Sequence, residues 1–215
     1  MSLELFGHPF SSYTWKALIP LYEVGAEFEF RNVAGNEFPE NEAAFLGHWP
    51  VGKFPLLVDD GVAVMESSII VEHVAPDMLP NDPAAAQEVR MLDRIFDNHV
   101  MTPTQAIVAE HLPFMTEAPD ANRIARARAA LDKVYPWLDT QLAGRSWAAG
   151  DAFSLADCAA APSLFYADWV QPIPEDLRAL KDYRARVLAR PSVARAVDEA
   201  RPYRHFFPLG APDRD

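Results

Sequence analysis

Three groups of side chains in this 215-residue chain could do chemistry. Ser11 and Ser12 follow His8-Pro9-Phe10 and precede Tyr13-Thr14-Trp15-Lys16. Lys53-Phe54-Pro55 leads into the apolar run Leu56-Leu57-Val58, and Glu66-Ser67 opens a second apolar run, Ser-Ile-Ile-Val-Glu-His-Val-Ala. A serine just ahead of a helical pattern is first of all an N-cap, whose oxygen accepts a backbone N–H. Pro55 has no N–H to give a sheet, so it belongs at a strand's first residue or on an edge. That leaves the backbone of Phe54 free to pair with something other than its own sheet. Ser67 stands at a helix N-terminus, where backbone N–H groups receive an anion, and the Glu66 carboxylate would receive a cation. A peptide-like edge, a carboxylate and an anion site close together suit a small peptide with a charged amino-acid end.

Other chemistries are excluded by what the chain lacks. The single cysteine, Cys158, rules out an internal disulfide and any C-x-x-C motif. The six histidines show no metal-ligand spacing, so no metal is expected and each reads as a surface or packing residue. There is no P-loop and no dinucleotide glycine pattern. A formal charge of −12 argues against nucleic acid, which needs clustered Lys and Arg. No apolar run reaches the length of a membrane span, and the first residues lack a basic segment followed by an apolar core. A cytoplasmic location without membrane association is the expectation. The first 75 residues hold eleven acids but only three bases, Lys16, Arg31 and Lys53. A lone cation in an acidic domain is a candidate for a specific task, although a solvated lysine is the commoner outcome.

The elements that must position these groups follow from periodicity. Residues 3–6 form a short apolar strand, and Ser11 or Ser12 opens a helix that carries Trp15, Leu18, Ile19 and Tyr22 and stops at Gly25. Pro20 inside this helix should kink it. Residues 27–31 alternate with period two and read as a half-buried strand. Residues 34–51 read as irregular. A hairpin follows, with strands at 56–58 and 62–65 joined by Asp59-Asp60-Gly61. Alternating strand and helix point to an α/β domain with a mixed sheet over 1–75. Three prolines within 76–83 mark a linker, and 84–215 shows no strand pattern. Residues 84–111 are helical with an interruption near Pro103. Ile124, Ala127, Leu131, Val134, Leu138 and Leu142 keep helical spacing up to Gly144. Further helices start near Leu155, Asp176 and Pro191, so the second domain is an all-α bundle. In Gly150-Asp151-Ala152-Phe153-Ser154-Leu155-Ala156-Asp157, Ser154 and Asp157 are spaced as a capping box, with Phe153 and Cys158 placed as a hydrophobic staple.

Residues 52–68 resemble the glutathione-binding half of the glutathione transferase family. The Gly150–Asp157 string matches the N-capping motif of a buried helix in that family's C-terminal domain, and Arg190-Pro191-Ser192-Val193-Ala194 fits its closing segment. The resemblance spans both halves: a thioredoxin-like N-terminal domain, a proline-rich linker and a C-terminal helical bundle.

It implies a serine-type enzyme. Ser11 matches the residue whose hydroxyl donates to the glutathione sulfur, with Ser12 as the neighbouring alternative. Such a donor, aided by a helix dipole, favours the thiolate, which is the nucleophile. Glu66 would meet the ammonium of the γ-glutamyl end and Ser67 its carboxylate. Phe54 would offer its backbone to the cysteinyl part, Pro55 would be cis, and Lys53 could pair with the glycyl carboxylate. The acceptor would lie between the domains, with Tyr13, Met101 and Phe114 as candidate linings. Some features are zeta- or theta-like, but Tyr13 stands where zeta-like enzymes often have cysteine, and Trp49 replaces a usual asparagine. No cysteine near the first helix supports thiol exchange, and no tyrosine follows the first strand as a thiol activator. Glutathione is thus expected as co-substrate, with no permanently bound cofactor, a small hydrophobic electrophile as acceptor, and a homodimer as the assembly. Two alternatives stay open: a glutathione-dependent isomerase or lyase, and a non-catalytic binding module of the same fold.

Overall fold

The computed structural model describes residues 2–33 and 37–215. Four strands form one mixed sheet: β1 (Leu3–Gly7), β2 (Glu29–Asn32), β3 (Leu56–Asp59) and β4 (Val62–Met65). Their order is β2-β1-β3-β4, with β1 parallel to β2 and antiparallel to β3, and β3 antiparallel to β4. Side chains alternate across the sheet. Leu5 and Leu57 face one side, where helices α1 (Ser12–Glu23) and α3 (Ser67–Val74) supply Leu18, Leu21 and Ile70. Phe6, Leu56 and Val58 face the other side and meet Phe45.

Phe45 belongs to α2 (Pro39–His48), so most of the stretch read as irregular is helical. The sequence hides this helix because Phe45 is its only buried residue and no amphipathic stripe forms. It starts as helices do, with Pro39 in the first turn and Glu40 and Glu42 at the positive end. Residues 34–36 of the stretch lie outside those described. Strand β2 begins and ends later than its alternation suggests, at Glu29 and Asn32.

Beyond a 3-10 turn at Pro76–Met78, the chain is helical: α4 (Pro83–Ile95), α5 (Thr102–Ala109), α6 (Ala121–Leu142), α7 (Leu155–Val170), α8 (Arg178–Leu188) and α9 (Pro191–Ala200). The interruption near Pro103 takes the form of a π-helical segment, Phe96–Met101, joining α4 to α5. Helix α7 is buried along almost its whole length and forms the axis of the bundle. The Asp157 carboxylate receives the N–H of Ser154 at 2.9 Å, as a capping box requires, and also the Ser154 hydroxyl, the Ala148 N–H and the Tyr183 hydroxyl. Phe153, expected to staple onto Cys158, stacks edge-on against Trp147, while the Cys158 sulfur meets Met78.

Helix α1 ties the two halves together, packing on α3, α7 and α9. Its Lys16 is fully buried, and its Nζ lies 2.5 Å from Asp93 and 2.7 Å from Asp97, at the end of α4 and the start of the π segment. Ser68 of α3 accepts from Lys16 at 2.9 Å and donates to Asp93 at 3.0 Å, and Arg94 pairs with both aspartates. At the far end of α1, Glu23 receives a bidentate pair of hydrogen bonds from Arg190 and a third from the Ser192 hydroxyl. Burial works to raise the Glu23 carboxyl, but Arg190 and Ser192 outweigh it and hold the group below its ordinary range.

Removing one partner of a buried ion pair leaves the other uncompensated. Lys16→Met is expected to lower unfolding stability by about 3–5 kcal/mol, read as a fall in the urea midpoint at unchanged m; a loss below about 1 kcal/mol would contradict the account. Because Glu23 is depressed in the folded state, its contribution is present above the carboxylate range and lost as pH falls through it. The stability gap between the native protein and Glu23→Gln should therefore narrow steadily on acidification, a trend that equilibrium denaturation across pH would detect.

Candidate functional site

The turn from β1 into α1 is held at every residue. Gly7 ends β1 where a Cβ would come within 2.6 Å of the Thr14 side chain, so only glycine fits without displacement. The Phe10 N–H bonds His8 Nδ1 at 3.0 Å, and the Ser11 N–H bonds the His8 carbonyl at 2.9 Å. Trp15 donates its indole N–H to the Pro9 carbonyl at 2.7 Å, and Tyr166 of α7 donates its hydroxyl to the Phe10 carbonyl at 2.8 Å. Ser11 is the N-cap of α1, its oxygen accepting the Thr14 N–H at 3.4 Å. Capping uses a lone pair and leaves the hydroxyl hydrogen free to donate. Ser12, in the first helical turn, is 7% exposed.

Two cavities open beside this turn. The first, of about 320 Å³, is lined by Lys53, Phe54, Pro55, Glu66 and Ser67, together with Tyr13 and Trp49 and, from the helical half, Arg94, Asp97 and Asn98. The Phe54–Pro55 peptide is cis. Glu66 has a φ of 69°, a region that a side chain other than glycine's seldom occupies. Its carboxylate caps no N–H of α3, which leaves it free to face the cavity. Burial raises the Asp97 carboxyl above its ordinary range, with Lys16 and Arg94 drawing it back. The first cavity is therefore zwitterionic, with one cation and one carboxylate from each half of the molecule, Lys53 and Glu66 from one and Arg94 and Asp97 from the other.

The second cavity, of about 280 Å³, is mostly apolar, lined by Phe10, Met101, Val108, Leu112 and Phe206, with His8, Ser11, Ser12, Thr104 and Gln105 as its polar residues. Phe54 lines both, so the two meet at that residue.

The structure thus brings Lys53, Phe54, Pro55, Glu66 and Ser67 around one cavity and puts Ser11, Ser12 and Met101 around the other. Tyr13, expected beside the acceptor, lines the first cavity instead, because the first helical turn points it toward Asp97. Burial and then Asp97 push its hydroxyl up to about 12. Phe114 lines neither cavity: it is 82% exposed in the connection between α5 and α6. Sequence reasoning missed Arg94, Asp97 and Asn98, and also Phe206 and Phe207, which reach the second cavity after α9. It also read His8 as a packing residue. The one local signal for the α4 residues was the disturbance near Pro103. A π-helical turn is often found at functional sites, and this one carries Asp97, Asn98 and Met101.

Comparison with known proteins followed the same division. The family model described as glutathione S-transferase, N-terminal domain, matches residues 1–76, and that for the C-terminal domain matches residues 98–191. Glutathione S-transferase 3 of Zea mays is 30% identical over 164 residues, covering 72% of this chain and 73% of the relative. FtsZ-localized protein A of Caulobacter vibrioides is 32% identical over 156 residues, covering 66% and 68%. Among solved structures, a glutathione S-transferase from Sinorhizobium meliloti superposes with a TM-score of 0.77 at 28% identity, over 92% of this chain and 93% of that one.

The close approach at Gly7 gives a structural test of the turn. Gly7→Ala should cost about 1–3 kcal/mol through overpacking, and Thr14→Ala in the same chain should recover much of that loss. A double-mutant cycle by chemical denaturation measures the coupling; additive effects would show that the two sites are not in contact.

Proposed function

Because the chain belongs to the glutathione S-transferase family, we propose that it binds glutathione in the first cavity and directs its thiolate at a small hydrophobic electrophile in the second. The observation that carries this reading is the junction of a zwitterionic cavity with an apolar one at Phe54, beside the capped start of α1. In this reading the γ-glutamyl ammonium meets Glu66, and its carboxylate meets the hydroxyl and N–H of Ser67 at the start of α3. The backbone of Phe54 pairs with the cysteinyl residue, and Lys53 takes the glycyl carboxylate.

The sulfur then lies toward Ser11. A thiol with a pKa of about 8.5 is mostly protonated at neutral pH, and the Ser11 O–H together with the N-terminal end of α1 favours the ionised form. Ser11 serves as donor, not nucleophile. The Tyr13 hydroxyl, held near 12, stays protonated and lies on the side of Glu66 and Asp97. No permanently bound cofactor takes part.

The net reaction is conjugation in this reading, with glutathione-dependent isomerisation or bond cleavage as variants on the same thiolate. In this reading the protein works in the cytoplasm as a homodimer. No helix among the described residues is long and apolar enough to cross a membrane. Val62 on the edge strand β4, Ile69 on α3 and Met91 on α4 are exposed apolar residues that a second copy would cover. The likeness to FtsZ-localized protein A supports a second reading, in which a chain of this fold works as an interaction module.

Glutathione at a hundred times its dissociation constant should stabilise the protein by about 2.7 kcal/mol, which raises the melting temperature by roughly 5–10 °C. Ser11→Ala should keep that shift while losing roughly a hundredfold in kcat/KM with a general aromatic electrophile. If Ser12→Ala were the damaging change instead, the donor would be Ser12. Binding without turnover across varied electrophiles would favour the interaction module, and no binding at millimolar glutathione would end the transferase reading.

A further inference from the structure

Three polar side chains of the second cavity, His8, Ser12 and Gln105, are left without a role by that reaction, and His8 is the one whose orientation its neighbours fix. His8 lines the cavity, and its Nδ1 accepts the Phe10 N–H at 3.0 Å. A ring nitrogen that accepts carries no proton, so the neutral imidazole bears its hydrogen on Nε2. Burial holds the ring below the ordinary imidazole range, which keeps this neutral form at neutral pH. Aromatic neighbours fix the ring plane: Phe54 stacks on it at 6.5 Å, while Tyr203 and Phe206 meet it edge-on at 5.7 and 5.6 Å. Among the described residues no carbonyl or side chain takes the Nε2–H. Two neighbouring hydroxyls are committed elsewhere. Tyr166 donates to the Phe10 carbonyl, and Thr104 donates to the Val100 carbonyl of the preceding π segment. Ser11 is reserved for the sulfur.

We propose that His8 binds the acceptor, donating its Nε2–H to the carbonyl oxygen of an apolar electrophile whose reactive carbon is conjugated to that carbonyl. The inference rests on the transferase reading and names the substrate class of the same site. The apolar walls around Phe10, Met101, Val108 and Leu112 call for an apolar body. A single neutral N–H is a poor partner for a carboxylate, whose burial would need a full counter-charge. It suits an oxygen that is neutral in the ground state and gains charge only as the reaction proceeds. In the addition, the glutathione sulfur bonds to the β-carbon, and the C=C electron pair moves to join the α-carbon to the carbonyl carbon. The carbonyl pair moves onto oxygen, giving an enolate. The Nε2–H bond strengthens at that point and His8 keeps its proton. A proton from solvent then adds to the α-carbon, giving the thioether.

Two variants separate the donor from the ring. His8→Asn keeps an oxygen able to accept the Phe10 N–H two residues on, as in an Asx turn, and lacks the distal donor. His8→Phe keeps the aromatic packing and lacks both nitrogens. Each is assayed with glutathione against benzylideneacetone, an aryl enone, and against benzyl bromide, which has no carbonyl. In both variants the loss in kcat/KM should be roughly 10–100-fold greater with the enone than with the bromide. The thermal shift caused by glutathione should be retained in both, which reports a folded site. Equal losses on the two electrophiles, an enone rate unchanged in His8→Asn, or a native protein active on the bromide but not the enone would each overturn the assignment while leaving the transferase intact. A native protein that shows no thermal shift and no turnover with either would instead remove the transferase reading, and this inference with it.

Discussion

The fully buried ammonium of Lys16 is the constraint on which the arrangement of this protein depends. Withdrawing such an ion from water costs several kcal/mol even after relaxation, and only close, well-aligned opposite charges offset it. Here Asp93 and Asp97 do so at 2.5 and 2.7 Å, with Arg94 balancing the second carboxylate and Ser68 filling the remaining hydrogen bonds. Two cations and two anions make a neutral cluster. Its members come from α1, α3 and the junction of α4 with the π segment, so these elements can sit at only one separation without leaving a charge unpaired.

That separation matters because the same elements carry the site. Helix α1 begins at the Ser11 cap, α3 begins at Ser67, and the π segment presents Asp97 and Asn98 to one cavity and Met101 to the other. The cavities differ in chemistry because of what stands behind them. The first is walled by the edge of the ion cluster, so it holds charges of both signs in fixed places. The second is walled by the bundle core and by the segment after α9, so it is mostly apolar. A peptide with charged ends and a nonpolar molecule could therefore be held side by side, with Phe54 common to both.

The turn between β1 and α1 shows how rigidity is reached without a long element. Two hydrogen bonds within residues 8–11 close the turn, and bonds from Thr14, Trp15 and Tyr166 hold it against α1 and α7. Because Trp15 and Tyr166 reach the turn from opposite halves of the molecule, its geometry depends on the domains being docked. The strained backbone of Glu66 is of the same kind: such a conformation persists only where the surroundings impose it.

Much of this was legible in the chain. Short apolar runs and a tight turn placed β1, β3 and β4, helical spacing and caps placed α6, α7 and α9, and the spacing of Ser154 and Asp157 announced a capping interaction. These are local signals, carried by residues within one element. The grouping of Lys53, Phe54, Pro55, Glu66 and Ser67 around one cavity was readable for the same reason, since one hairpin and one helix start bring them together. Helix α2 was missed because it buries a single side chain and leaves no periodic trace. Tyr13 and Phe114 lie outside the second cavity, and Arg94, Asp97 and Phe206 were overlooked, because each one's surroundings come from segments far away in sequence. Lys16 marks the boundary most clearly. Composition showed it as one of three cations in an acidic domain, and nothing nearby showed whether it was solvated. That its partners lie 77 and 81 residues further on and bury its ammonium completely was decided only by the packing of one domain on the other.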